Sequence, residues 1–347
     1  MKKVYLSRNY KNIHSAGGKA KTDVEVILQE AGYTNLGFKQ TRYKNKLLDF
    51  YLNLAGILKA VVCMPGKGLL FLQYPVKKYY SFICCIAHLK KTKVVTLVHD
   101  LGTFRRRKLT AIKEMKRLNQ ADYIIALNDK MAVWLKENGY KGGTGTLDIW
   151  DYLSADRNGT VSKEDNEKYV VNYAGALNKR KNEFLYNLDI LVQSYSFHLY
   201  GNGYQPTENQ KNAPFFNYKG FVVSDEFIQS IRGDFGLVWD GDSVDTCSGD
   251  FGVYLQYNNP HKVSLYIRAH LPVIIWRKAA MATFIEKNRV GFVIDSLGEI
   301  DGILASLSQD DYNRMKERVI QLSRQLEAGY YLKKAVRAVE EFFDCGE

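Results

Sequence analysis

The stretch KVVTLVHDLGTFRRRKLTAIKEMKRLNQADYIIAL, residues 93–127, carries the fold in miniature. Two unbroken apolar runs, VVTLV and YIIAL, lack polar alternation, and each reads as a strand buried on both faces. The pattern of 109–119 between them is helical. Strand, helix, strand with wholly apolar strands predicts a parallel sheet covered by helices on both sides.

The same rhythm continues in both directions. Strands are expected at 3–6, 36–38, 68–73, 94–99, 123–126 and 145–147, with helices at 21–31, 47–60, 79–90, 109–119 and 129–138. A polar stretch, SADRNGTVSKEDNEK at 154–168, has no apolar period and reads as a linker. Beyond it a second series places strands at 169–174, 196–200, 216–219, 235–239, 272–276 and 291–293. Its helices fall at 182–192, 224–231, 263–269, 279–287, 297–307 and 310–328. The expected architecture is α/β, two doubly wound Rossmann-like domains at 1–155 and 156–328, facing across a cleft that would hold a ligand beyond the strands' carboxyl ends. A terminal helix within 329–347 has apolar residues at helical spacing and must bury that face, with the first domain as the expected surface.

The totals agree with two domains, because 347 residues is long for a single core. Charge is unevenly spread. Residues 1–155 carry 27 Lys and Arg against 11 Asp and Glu, whereas 156–347 carry 22 against 26. The first half therefore faces something negative: an anionic membrane surface, a phosphorylated acceptor or nucleic acid. Zinc-finger spacing, RNP aromatics and a basic zipper are all missing, so nucleic acid is not expected. Five cysteines without a CxxC pair argue against a disulfide framework and fit a reducing cytoplasm. The opening MKKVYLS starts a strand at once, leaving no room for a signal peptide's apolar core. The most apolar helical segment, 47–62, contains Asp49, Asn53 and Lys59. It is expected to be a core helix or one lying on a membrane. An oligomer is compatible with the sequence.

Strand ends hold the chemically interesting residues. His99 and Asp100 close the strand 94–99, where a carboxylate can act as general base, and Arg105, Arg106 and Arg107 follow as a surface for an acceptor phosphate or a membrane. Near the first strand, Ala16 and Gly17 allow close backbone approach, but no GxGxxG supports a dinucleotide cofactor. In the second domain Gly175, Lys179 or Lys181, Tyr218 and the acidic loop VWDGDSVDTCSGDFG all follow strands. Then comes YNNPHKVSLYIRAHLPVIIW, 257–276. Asn258 and Asn259 suit N-caps, Pro260 the first helical position, and Lys262 the first turn, where helix N–H groups and an ammonium together favour a phosphate. A single DGD triplet at 240–242 could bind a divalent cation, but Lys262 and the helix end can neutralise a diphosphate without one, so no metal site is expected.

The segments GLVWDG, YNNPHKVSLYIRAHLPVIIW, AGALNKRKNEFL, VHDLGTFR and QYP resemble those of a bacterial group of GT-B glycosyltransferases. The group includes beta-1,6-galactofuranosyltransferases and the glucosyltransferase 3-like enzymes that act on adhesins. The resemblance spans nearly the whole chain and is densest from 235 to 291. It implies a UDP-sugar donor held by the C-terminal domain, a saccharide or glycopeptide acceptor on the N-terminal domain, and inversion without an obligatory metal or cofactor. By matching position, Lys262 would contact the diphosphate, and Asn258, Asn259, Pro260, His261, Ser264 and Tyr266 would frame the donor. Lys179 and Tyr218 would lie beside it, with Gly175 turning the chain. The loop at Ala16 and Gly17 would close over the sugar, although Ala16 replaces a hydroxyl residue that relatives can carry. Transfer of galactofuranose, glucose or galactose all fit. Two other uses of the same residues are a UDP-sugar epimerase and a non-catalytic nucleotide-binding partner of another transferase.

Overall fold

The computed structural model describes residues 1–10, 16–41, 43–76, 79–105, 109–155 and 168–345. The backbone forms two compact units, Met1–Asp151 together with Gly329–Glu347, and Tyr152–Ala328.

In the first unit the elements run β1 (Lys2–Tyr5), α1 (Ala16–Glu30), β2 (Thr34–Asn35), α2 (Lys46–Cys63), β3 (Gly68–Tyr74), α3 (Tyr80–Leu89), β4 (Lys93–Val98), α4 (Gly102–Arg105), α5 (Ala111–Leu118), β5 (Tyr123–Ala126), α6 (Asp129–Glu137) and β6 (Gly143–Thr146). All strands are parallel, in the order β2-β1-β3-β4-β5-β6. Every residue of β3, GLLFLQY, is buried, as its unbroken apolar run requires. Helix starts are fixed by side chains. Asn45 accepts from the Leu47 and Leu48 N–H groups at the head of α2, and Asn128 from Met131 N–H at 2.9 Å at the head of α6.

The second unit runs β7 (Val170–Ala174), β8 (Ser196–Tyr200), α7 (Glu208–Asn212), β9 (Phe216–Gly220), α8 (Ser224–Ser230), β10 (Phe235–Val238), α9 (Gly249–Tyr254), α10 (His261–Arg268), β11 (Val273–Trp276), α11 (Ala282–Asn288), β12 (Gly291–Ile294), α12 (Glu299–Ser306) and α13 (Gln309–Glu327). Its six parallel strands follow the order β12-β11-β10-β7-β8-β9. The chain then closes with α14 (Tyr330–Asp344), which packs on α1 and β6 in the first unit. Asp151, buried at the end of the first segment, accepts from the Tyr331 and Leu332 N–H groups at 3.1 and 2.7 Å and so holds the head of α14.

In each sheet the first strand lies inside and the chain reverses beside it. The switch falls between β1 and β3 in the first unit and between β7 and β10 in the second. Crevices at the carboxyl ends of such reversal points are where doubly wound sheets bind ligands.

Several expectations from the sequence need correction. The first helix begins at Ala16, a turn and a half before Lys21. The segment 182–192 is two 3-10 turns, Glu183–Asn187 and Asp189–Leu191, because Asn182 is drawn into a buried hydrogen-bond network and the turn is tied to the loop after β10. Pro260 is the N-cap of α10 and His261 its first residue, so neither Asn258, whose amide oxygen has no partner among the described residues, nor Asn259 stands at the cap position. Helices α4, α7 and α9 were not expected, being too short to show a period.

α10 seats tightly on β10. A Cβ on Gly236 would fall 2.2 Å from the Tyr266 ring, so only glycine lets the two elements meet. Gly236→Ala is expected to lower stability by about 2 kcal/mol through overpacking. Gly302→Ala, on α12 with nothing within 4 Å of the new methyl, is expected to leave stability unchanged or raise it. Thermal melts of both variants check the pair.

Candidate functional site

The carboxyl ends of β7 and β10 frame a polar cluster inside an apolar surround. Tyr173, on β7, is fully buried, and its hydroxyl lies 2.6 Å from Asn182 Oδ1, 2.8 Å from Trp239 O and 3.0 Å from Asp240 Oδ1. It has one proton to give and accepts from Lys262 Nζ at 3.0 Å. Asp240, two residues past β10, receives two ammonium groups: Lys262 Nζ lies 3.2 Å from Oδ1 and Lys181 Nζ 3.3 Å from Oδ2. The Lys262 ammonium also lies 4.1 Å from the Tyr173 ring centroid.

Two cations on one carboxylate leave a surplus of one positive charge. Burial alone would raise the Asp240 carboxyl, but Lys181 and Lys262 outweigh it and hold the group below its ordinary range. For Lys262 burial dominates, with Asp240 opposing and Lys181 adding to the shift. The ammonium is lowered to about 8. The cluster lies at the head of α10, the positive end of that helix's dipole.

The loops around this cluster are zipped by backbone bonds: Gly175 N–H to Tyr200 O, Gly201 N–H to Gly220 O, and Gly241 N–H to Lys181 O. Gly201 has φ +144°, and a Cβ there would meet Gly175 O at 1.8 Å, so the loops after β7 and β8 stack backbone on backbone. In the turn that leads into α10 the amide oxygen of Asn258 is buried with no hydrogen-bond partner among the described residues. An acceptor left in that condition is costly unless a ligand donates to it.

Two comparisons of sequence decide the identity. A family described as glucosyltransferase 3-like matches with its N-terminal domain over residues 3–149 and with its C-terminal domain over 171–339. The chain belongs to the glucosyltransferase 3-like family. It is 31% identical to beta-1,6-galactofuranosyltransferase WbbI of Escherichia coli (strain K12), over 93% of this chain and 94% of that one. It is 25% identical to glucosyltransferase 3 of Streptococcus gordonii, over 94% and 96%. Among solved structures, Anabaena Alr3699/HepE in complex with UDP-glucose aligns with a TM-score of 0.61 at 11% identity, over 97% of this chain and 98% of that one. The lipopolysaccharide outer core galactosyltransferase WaaB in its apo form aligns with a TM-score of 0.60 at 11% identity, over 98% and 99%. The fold is thus GT-B, and this glucosyltransferase 3-like protein is a glycosyltransferase.

In this glucosyltransferase 3-like chain the expected donor residues separate into groups. Lys262 joins the cluster, Gly175 directly follows β7, and Asn258 lies in the turn before α10. Lys179 does not join it. Its side chain is exposed, 3.7 Å from Glu183, and Lys181 occupies the place instead. Tyr266 faces inward, fully buried, with its hydroxyl accepting from Ala174 N–H at 2.7 Å; it positions α10 rather than framing a ligand. Ser264 and Asn259 are likewise buried, and His261 packs its ring 4.8 Å from that of Tyr152. Tyr218, exposed in the middle of β9, donates to Gly201 O at 2.9 Å. Sequence reasoning missed Tyr173 and Asn182, which read as an ordinary strand residue and the first residue of an expected helix.

In the first unit, Asp100 follows β4, partly buried. His99 is buried, stacked on Trp150 at 4.7 Å with Nε2 2.8 Å from Gln73 Oε1. On α1, Glu25 accepts from Ser7 Oγ at 2.7 Å and from the Tyr10 hydroxyl at 2.6 Å, both in the segment after β1, and burial pushes its carboxyl up to about 7. No sequence signal marked Glu25. Ala16 and Gly17 open α1. Arg105 ends α4, while Arg106 and Arg107 lie outside the described residues.

Proposed function

We propose that this enzyme moves a hexose from a UDP-sugar to a glycan, lipid-linked or glycoprotein acceptor in one inverting displacement that needs no metal ion. The observation that carries the reading is the Lys181–Asp240–Lys262 cluster at the switch point of the second sheet, with one positive charge in surplus. Relatives named for galactofuranosyl and glucosyl transfer, and a structural neighbour holding UDP-glucose, support the donor class.

The acceptor hydroxyl gives its proton to the Asp100 carboxylate as its oxygen bonds to the anomeric carbon. The bond from that carbon to the diphosphate oxygen breaks, and UDP leaves with the electron pair. Lys262, backed by Lys181 and the positive end of the α10 dipole, stabilises the charge that collects on the leaving diphosphate. The Asn258 amide oxygen accepts from a donor hydroxyl. Asp240 is already engaged by two ammonium groups, which favours charge neutralisation by lysine over a divalent ion at the DGD triplet.

The lowered Lys262 value gives the test a sign. From about pH 7 to 8, above the terminal-phosphate ionisation of UDP near 6, the ammonium is largely charged with or without ligand, so UDP affinity changes little. A bound diphosphate raises its pKa, so above about pH 8 binding must draw in a proton and affinity falls by up to about tenfold per pH unit. Isothermal titration with UDP across this range, in buffers of different ionisation enthalpy, reads both effects. Affinity that holds constant up to about pH 9.5 would remove the diphosphate from Lys262.

A further inference from the structure

Helix α2 is built the wrong way round for a solvent helix. Its inner side is narrow, with Gly56, Ile57 and Ala60 buried, while Leu47, Phe50, Tyr51, Leu58 and Val62 are exposed, Val62 by 79%. At 100° per residue Leu47, Tyr51, Leu58 and Val62 fall within one narrow stripe facing outward, with Phe50 at its margin. The three charged residues of the helix, Lys46, Asp49 and Lys59, all lie off this stripe. Asp49 is turned inward, bonded to Asn9 and Asn53.

The surface extends beyond α2. The preceding segment runs along the helix, bringing exposed Phe38 against Lys59, whose ammonium is 5.2 Å from the ring. Right-handed crossovers from β2 to β3 and from β3 to β4 place α2 and α3 on one face of the sheet, and the two helices touch. There α3 adds exposed Phe82 and Leu89. Lys46 and Lys59 flank the stripe on α2, while on α3 His88 meets Asp122, and the sequence that builds this face is strongly cationic. From residue 31 to 99 it holds 11 Lys and Arg and a single acid, the inward-turned Asp49.

We infer that this face of α2 and α3 is a membrane-docking surface, with the apolar stripe entering the interfacial layer of a bilayer and the lysines meeting anionic lipid headgroups. An outward apolar stripe in a cationic surround is the pattern of a helix that lies in the plane of a membrane. No helix of the described residues is long and apolar enough to cross one. Charge argues against a second copy of the chain as occupant: a twofold contact through this face would set its lysines against themselves. The acceptor class this implies is a glycan carried on a membrane lipid. The docking inference stands on α2 and α3 alone, so its failure would leave the UDP titration untouched.

The test is co-sedimentation of the full chain with vesicles of phosphatidylcholine alone or with about 30 mol % phosphatidylglycerol. The expected result is at least about tenfold stronger binding to the anionic vesicles, weakened by salt. The double variant Leu58→Glu, Val62→Glu is expected to lose at least about tenfold of that binding, with melting temperature and UDP affinity unchanged, because both side chains point to solvent. Wild-type protein that stays in the supernatant with anionic vesicles would overturn the inference. So would a double variant that sediments like wild type. A wild-type dimer on size exclusion that becomes monomeric in the double variant would reassign the surface to subunit contact.

Discussion

Replacing Lys262 by Met is expected to weaken UDP binding about 100-fold while leaving the melting temperature at or above that of the wild type. The two halves of this result come from one fact. The Lys262 ammonium is buried, and its lowered pKa says that burial costs the charged form more than Asp240 gives back. Methionine fills similar volume without that cost, and Asp240 keeps Lys181 at 3.3 Å and the Tyr173 hydroxyl at 3.0 Å. The fold therefore loses little. The cluster, however, falls from a surplus of one positive charge to neutrality at the point where a diphosphate would sit. Calorimetry with UDP and a thermal melt of the same sample separate the effects. Loss of both together would mean that Lys262 serves the fold, and unchanged affinity would leave it with no role toward the donor.

Asp100→Asn is expected to lower kcat by about 100- to 1,000-fold, with UDP affinity changed by less than about twofold. Asparagine has the shape of aspartate and cannot take the acceptor proton. Asp100 is preferred over its neighbour because the His99 ring is held between Trp150 and Gln73. Turnover of the best UDP-sugar, found by a screen for slow hydrolysis, gives kcat, and titration gives affinity. A parallel loss in both would count against a base at this position.

The parallel sheets were legible because a strand buried on both faces must be apolar throughout, and β3, β4 and β11 are nearly so. β6 was misplaced because it is GTGT, whose pairing is permitted by the Tyr123 ring lying across Gly143 and Gly145 rather than by its own side chains. At the site, Lys262 could be found from its place in a helix's first turn. Its partner Tyr173 lies 89 residues away, and no local pattern joins them. Lys262 and Tyr266 share a helix face, four residues apart, so the sequence treats them alike. Structure separates them by depth: Lys262 reaches the Tyr173 hydroxyl, while Tyr266 reaches the neighbouring Ala174 N–H under the sheet end. The choice between Lys179 and Lys181 depended on the tie between Gly241 N–H and Lys181 O, a contact across 60 residues.

The clasp between Asp151 and the first residues of α14 has a practical corollary for dissecting the protein. The exit and re-entry points of the first unit are hydrogen-bonded neighbours, so a short Gly-Ser bridge could splice 151 to 329 and excise 152–328 as an uninterrupted piece. A cut that simply ended the chain at 328 would instead strip α14 from α1 and β6 and expose their apolar faces. Gene fragments drawn at the midpoint would thus part α14 from the surface it covers and leave both pieces with a bared apolar face, whereas fragments drawn along the splice would keep each unit's elements together.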